Sequence, residues 1–383
     1  MKKTYVVFIC LILFFIGCSE GEKNYVIETE NGIKVYKNSG KTSDKELVIS
    51  PKEIFEIKGM ENVEESSPRE FVWPRFLDID SKGNIYIVDR VSASVKKFDK
   101  EGRFLESFGR DGQGPGEMRF PYMIIILNDI LFVYDPGGRR LVKFDTAGHF
   151  LGNLSIQKYG ILFTKSVGKD KAIGFLRKYE RAPNGGVYSI FNLTLMDDWF
   201  QPIRILREYK VKFDLSINDF LDRYTAYAVA EDKIFVAENS EDKYRINVFD
   251  HSGQLLYAIE KNYEKVTFTK DELDELNDTL GNIIKKFGQD YVPVKAVYKK
   301  SINSMYYDKE GRLLVASSVK RDPGNRYDFL VDVFKDGVFL KKVKLDIANG
   351  YDYVKVHDDK IFFKGSRIYY LNEAEALLKV FEY

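Results

Sequence analysis

The strongest constraint on this chain is that one stretch repeats another 46 residues later. The first runs Gly83-Asn84-Ile85-Tyr86-Ile87-Val88-Asp89, then Phe98-Asp99 nine residues after Asp89, then Gly102-Arg103-Phe104-Leu105. The second runs Asn128-Asp129-Ile130-Leu131-Phe132-Val133-Tyr134-Asp135, then Phe144-Asp145 nine residues after Asp135, then Gly148-His149-Phe150-Leu151. Each unit holds several short apolar runs separated by turn residues. A unit of this length cannot bury its own apolar faces and must stack against copies of itself.

Each unit reads as four short antiparallel strands with turn signals every 8–12 residues, the pattern of a β-propeller blade. Looser copies lie at 161–208, from Asp232, from Asp308 and from Asp358, giving six. The expected fold is therefore all-β, a six-bladed propeller of four-stranded antiparallel blades over 46–383. Strand-like Glu46–Val48 and Ile54–Ile57 are available to supply the last outer strand, which would remove the open sheet edges. Thr269-Lys270-Asp271-Glu272 is a capping box. Leu273, Leu276, Leu280, Ile283, Ile284 and Phe287 follow at helical spacing up to Gly288, so an amphipathic helix is expected in an insertion at about 262–300.

The blade resembles the NHL repeat, which has the form Asp-x-x-Gly-Asn, a hydrophobic strand ending in Asp, an Arg-Ile pair, then Phe-Asp-x-x-Gly. The linker Phe108-Gly109-Arg110-Asp111-Gly112-Gln113-Gly114-Pro115-Gly116 also resembles the connection between NHL blades. Arg140-Leu141 fits the Arg-Ile position, whereas Ser94-Val95 departs from it. The resemblance is specific over 71–151. It implies a six-bladed propeller, and related propellers include lactonase-like enzymes with axial calcium and a lyase with histidine-bound zinc.

The N-terminus has a basic Lys2-Lys3, an apolar run from Tyr5 to Ile16 too short to span a bilayer, and then Gly17-Cys18. This is similar to a bacterial lipobox. It implies a signal peptide at 1–17, lipidation of Cys18, a polar tether at 18–45 and an outer-membrane location on the periplasmic or surface side. Removing the signal takes 59 basic residues to 57 against 58 acidic ones and leaves Cys18 as the last cysteine. Disulfides are excluded, and so is the strongly basic field of a nucleic-acid-binding protein.

Chain topology places the loops between second and third strands on the same face as the inter-blade connections. Basic side chains recur there, including Arg90 and Arg139. The channel mouth is expected to carry Arg75, Tyr122, Lys165, Arg223, Asn303 and Asp352. Such a basic and aromatic face favours an anionic or hydroxyl-rich ligand. The last blade is read with Lys364 and Arg367 in that same kind of loop. His149, His251 and His357 fall in separate turns and are not expected to share a metal. Asn303 and Asp352 alone are too few for calcium. No catalytic residue, metal or other cofactor is assigned. The reading favours a monomeric, lipid-anchored, non-catalytic module for a glycan, peptide or envelope protein; the alternative is a lactonase-like or lyase-like enzyme with an axial metal.

Overall fold

The computed structural model describes residues 23–60, 69–156, 160–181, 183, 185–212, 224–285, 291, 293, 295, 297–320, 329–347 and 359–383. They form a six-bladed β-propeller. The chain starts with the hairpin β1 (Tyr25–Glu30) and β2 (Ile33–Asn38), followed by β3 (Lys52–Lys58). Blade 1 is β4 (Pro74–Ile79), β5 (Ile85–Asp89), β6 (Ser94–Phe98) and β7 (Phe104–Phe108). Blade 2 is β8 (Met123–Leu127), β9 (Ile130–Asp135), β10 (Arg140–Asp145) and β11 (Phe150–Ser155). Blade 3 is β12 (Gly160–Val167), β13 (Lys171–Arg181), β14 (Val187–Asp197) and β15 (Pro202–Arg207), with β16 (Lys210–Lys212) added to β14.

Blade 4 is β17 (Tyr227–Val229), β18 (Lys233–Ala237), β19 (Tyr244–Asp250) and β20 (Leu255–Lys261). The helix α1 (Lys270–Lys285) intervenes. Blade 5 is β21 (Ile302–Tyr307), β22 (Leu313–Ser317), β23 (Leu330–Lys335) and β24 (Val338–Lys344). Blade 6 joins β25 (Asp359–Lys364), β26 (Arg367–Asn372) and β27 (Leu377–Glu382) to β3 from the start of the chain.

The cores lie between adjacent sheets, and the strand pleat decides which core a residue enters. Every residue of β5 is buried. Tyr86 and Val88 pack with Val133 and Leu141 of blade 2, while Ile85 and Ile87 pack with Leu371, Leu378 and Val380 of blade 6. This two-sided burial explains why β5 reads as a continuous apolar run. Outer strands such as β7 face water on one side and alternate.

The ring closes as expected through β3, where Lys58 pairs with Leu377 and Lys52 with Glu382. Residues 46–48, read as strand-like, form no strand. Two further expectations need correction. Residues 25–38, assigned to a tether, form a hairpin on blade 4, with β2 running parallel to β20. Asn38 pins it: its side-chain amide donates to the carbonyls of Glu260 and Gly337 (both 3.0 Å) and its Oδ1 accepts from Phe339 N (2.8 Å). Arg245 adds ion pairs to Glu30 (3.1 Å) and Glu260. The Tyr36 ring lies so close over Gly337 that a Cβ there would stand 2.8 Å from Tyr36 Cγ.

The second correction is the strand register of blade 6. Asp358-Asp359-Lys360-Ile361 looks like the turn into a second strand, yet β25 is the innermost strand. Its Phe362 ring packs against Phe76 of the inner strand β4, with centroids 5.1 Å apart. With β25 first, β3 can be fourth. Lys364 and Arg367 therefore flank the lower hairpin, and the upper loop is Glu373–Ala376. Arg367 donates to the Lys100 carbonyl on the lower side of blade 1.

The capping box is present: Thr269 N donates to Glu272 Oε2 (2.8 Å) and Glu272 N to Thr269 Oγ1 (3.3 Å). Leu276 and Leu280 are buried and Leu273 is half-buried. Residues 286–290, including Phe287 and Gly288, lie outside the described residues, as do the side chains of Ile283 and Ile284. Cys18, Arg223, Asp352 and His357 lie outside them as well. No helix among the described residues is long and apolar enough to cross a membrane.

Candidate functional site on the upper rim

The upper face carries the inter-blade connections and the loops between second and third strands. In blades 1 and 2 its geometry is set by a buried aspartate at the end of the second strand. Asp89 Oδ1 accepts Trp73 N (2.9 Å) and Val72 N (3.4 Å), while Oδ2 accepts Ser92 Oγ (2.6 Å). Asp135 repeats this in blade 2, accepting Phe120 N (2.9 Å) and Arg119 N (3.3 Å). A carboxylate accepting backbone N–H groups in a dry site is strongly held. The two aspartates thus present Trp73 and Phe120 at equivalent positions of neighbouring blades. Pro74 and Pro121 follow them and keep the preceding residues extended.

Trp73 is 40 % exposed and Phe120 45 %. Arg90, the residue after Asp89, places its guanidinium 4.6 Å from the Trp73 ring centroid and 3.8 Å from that of Phe120. Arg75 lies 5.2 Å from the Trp73 centroid and 4.7 Å from that of Tyr122. Two guanidiniums and three aromatic rings are layered together. Contacts of this kind are worth about 0.5–1 kcal/mol each at exposed sites and about 2 when desolvated. Burial and the nearby Arg75 charge hold the Arg90 guanidinium below its ordinary pKa.

The two arginines differ in their partners. Arg75 Nη1 meets Glu373 Oε2 at 2.5 Å, and Lys360 pairs with the other oxygen of the same carboxylate. Glu373 is buried and both cations are mostly buried, so blade 6 is tied to blade 1 by one acid held between two bases. Arg90 has no carboxylate within ion-pair distance among the described residues. Among the described residues its charge faces the Trp73 and Phe120 rings.

The remaining expected residues are dispersed. Arg139 is exposed on the upper loop of blade 2 at φ 51°, the position held in blade 1 by Ala93 at φ 48°. Lys165 does not reach the rim. It lies deeper along the channel, where a bulge between Leu162 and Lys165 lets its ammonium donate to the Tyr227 carbonyl (3.0 Å). The residue is open to the channel, yet desolvation by the surrounding channel walls pushes its pKa down to about 8. Asn303 exchanges hydrogen bonds with Ser318 (3.2 Å) near the mouth in blade 5. The structure thus brings Arg75, Arg90 and Tyr122 together and leaves Arg139, Lys165 and Asn303 apart from them.

Sequence reasoning missed Trp73, Phe120, Lys360 and Glu373. The first two had a signal in the aromatic-Pro pairs Trp73-Pro74 and Phe120-Pro121, which precede equivalent inner strands. Lys360 and Glu373 were hidden by the blade 6 register. Arg140, which fits the Arg-Ile position of the repeat, is held by Asp135 (3.3 Å) and the Glu117 carbonyl (2.8 Å). His149 pairs with Asp145 at 2.9 Å and His251 lies 3.1 Å from the Ala230 carbonyl, in different blades. Among the described residues, no three His, Cys, Asp or Glu side chains converge as a metal site.

The described architecture defines a six-bladed β-propeller. A family model described as a 6-bladed beta-propeller (DUF5128) matches residues 77–218. Solved structures similar at the level of fold include a DUF4221-family member from Bacteroides vulgatus, at 11 % identity and TM-score 0.46, covering 87 % of this chain and 97 % of that one. A Bacteroides fragilis protein described as exported shows 12 % identity and TM-score 0.43, covering 91 % and 98 %. Virginiamycin B lyase from Staphylococcus aureus shows 10 % identity and TM-score 0.38, covering 86 % and 98 %. No curated protein matches the chain.

Proposed function

We propose that this protein is an exported, lipid-anchored, non-catalytic binding module that captures an anionic ligand on its upper rim. The observation that carries the reading is Arg90. It is a partly buried guanidinium layered between two exposed aromatic rings, with no carboxylate partner among the described residues. A cation held this way is oriented in advance, and little side-chain entropy remains to be lost when its N–H edge meets an anion. The neighbouring Arg75 is already neutralised by Glu373, so Arg90 is the group that gains most from a ligand charge.

Anchoring enters through Cys18, whose lipidation would hold the propeller at the outer membrane. Metabolic labelling with a fatty-acid analogue, compared with Cys18→Ala, tests that part. Ligand capture is tested by calorimetry and thermal shift with small carboxylates and inorganic phosphate, because a ligand specific for the native state raises apparent stability. The expected result is a shift that Arg90→Gln abolishes. A shift unchanged in Arg90→Gln would reject the rim as the site.

A further inference from the structure

We propose that the ligand of the upper rim is a carboxylate-bearing polysaccharide, laid along an arc from blade 1 to blade 2. This rests on the anion-binding reading of Arg90 and adds the ligand's chemistry and extent. The arc begins at Arg90 and continues to Arg119 and Arg139, both exposed on the upper side of blade 2. None of the three has a carboxylate within ion-pair distance among the described residues. Four acids nearby among the described residues are committed elsewhere. Asp89 and Asp135 are fully buried and accept backbone N–H groups. Glu117 accepts from Gly114 N (2.8 Å) and pairs with Arg110 (2.7 Å), while Glu373 lies between Arg75 and Lys360.

Guanidiniums without an acid partner among the described residues therefore recur on two successive blades. Charges repeated at blade spacing match a ligand with charges repeated along its length. The planar guanidinium fork matches a planar carboxylate with two parallel hydrogen bonds. Trp73 and Phe120, both partly exposed, flank Arg90, so an anion there would lie beside aromatic surface. A uronic-acid polymer has this composition: each ring carries a carboxylate beside C–H faces that can cover aromatic surface.

The test is calorimetry on the detergent-solubilised full chain with polygalacturonate, neutral dextran, polyglutamate and inorganic polyphosphate. Polygalacturonate should bind in a salt-sensitive way and dextran should not. Polyglutamate and polyphosphate should bind at least about ten-fold more weakly, the loss expected when charge is kept but ring contacts are absent. Equal or tighter binding of polyglutamate or polyphosphate would overturn the polysaccharide assignment and leave the anion-binding reading standing. Binding of no anion at all would remove both.

Length is the second readout. Arg119→Gln combined with Arg139→Gln should weaken the polymer about ten-fold, while a galacturonate monomer binds as in the parent. Arg90→Gln should weaken both. Polymer affinity unchanged in the double variant, with thermal stability equal to the parent, would remove the arc.

Discussion

The rim at blades 4 and 5 and the rim at blades 1 and 2 both bring basic side chains into partly dry surroundings, but they neutralise them differently. At blades 4 and 5 the cations meet acids, and two of them, Lys299 and Lys261, are largely buried. Lys299 pairs with Glu272 of α1 at 2.5 Å, with side chains only 4 and 3 % exposed. Lys261 and Lys342 both lie 2.9 Å from the fully buried Asp332. The insertion is fixed to the same corner, as Ser301 Oγ donates to the Lys243 carbonyl (2.7 Å) and Ser318 N to the Ser301 carbonyl (3.2 Å). At blades 1 and 2 Arg75 and Arg90 meet ring faces, and Arg90, Arg119 and Arg139 have no carboxylate within ion-pair distance among the described residues. Paired, covered charge at one corner serves the fold. Unpaired, open charge at the other is available to something outside the chain.

That contrast is broken most sharply at its closed corner. Glu272→Ala would leave Lys299 buried without its carboxylate and would remove the cap of α1. Losing one partner of a buried pair costs about 3–5 kcal/mol. The expected outcome is a fall in the urea midpoint of that order, with ligand capture at the distant rim kept wherever the protein remains folded. Lys299→Met combined with Glu272→Met, an apolar replacement of the pair, should recover much of the loss.

Glu373→Gln tests the place where the two kinds of neutralisation meet. Arg75 and Lys360 would be left facing a neutral amide, and blade 6 would lose its ionic tie to blade 1. Stability should fall by about 3 kcal/mol, the low end for a broken buried pair, since both cations keep some access to water. The rim would also become more positive by one charge, so anion affinity should rise in the molecules that stay folded. Arg90→Gln should do the opposite. Its contacts with Trp73 and Phe120 contribute about 1–2 kcal/mol at most, so the urea midpoint should move little while ligand capture is lost. Separation of those two readouts distinguishes a binding arginine from a packing one.

Much of the fold was legible because the blade repeat encodes burial on both sheet faces. The all-apolar Ile85–Val88 run, the Asp that ends it and the positive-φ turn before it (Gly83 in blade 1, Asn128 and Asp129 in blade 2) have the same physical roles in blades 1 and 2. The helix start was legible because a capping box is local chemistry. Blade 6 was misread because Lys360-Ile361-Phe362-Phe363 is apolar enough to pass for a second strand; only the tertiary choice of β3 as fourth strand decides its place. Within the tether only a short strand at Gly32–Tyr36 is legible, which overlaps β2; its pairing into a hairpin on blade 4 is not, because the segment is polar and pairs in parallel with residues more than two hundred positions away. The site was half legible. Arg75, Arg90 and Tyr122 follow from topology, but their grouping depends on Trp73 and Phe120, whose placement comes from Asp89 and Asp135 capturing backbone amides across the blade. No spacing rule in a single sequence reports such a contact.

The smallest expected effect lies between the two corners, in the channel at Lys165. Its pKa is pushed down to about 8 by desolvation within the channel walls, although the residue is open to the channel, and so lies below the value near 10.4 of a freely solvated lysine. The fold therefore disfavours the charged form. Below about pH 8 both folded and unfolded chains carry the proton, and the penalty for burying the charge is present in full. Between about pH 8 and 10 the unfolded chain binds more protons than the folded one, so this residue makes stability rise with pH. Water in the channel screens the ammonium and keeps the effect small. Lys165→Met removes it, and the difference in urea midpoint between parent and variant should change toward the parent as pH rises from about 7 to about 10. A difference that stays flat across that range would mean that Lys165 titrates like a surface lysine and that the inner wall of blade 3 is as wet as the rim above it.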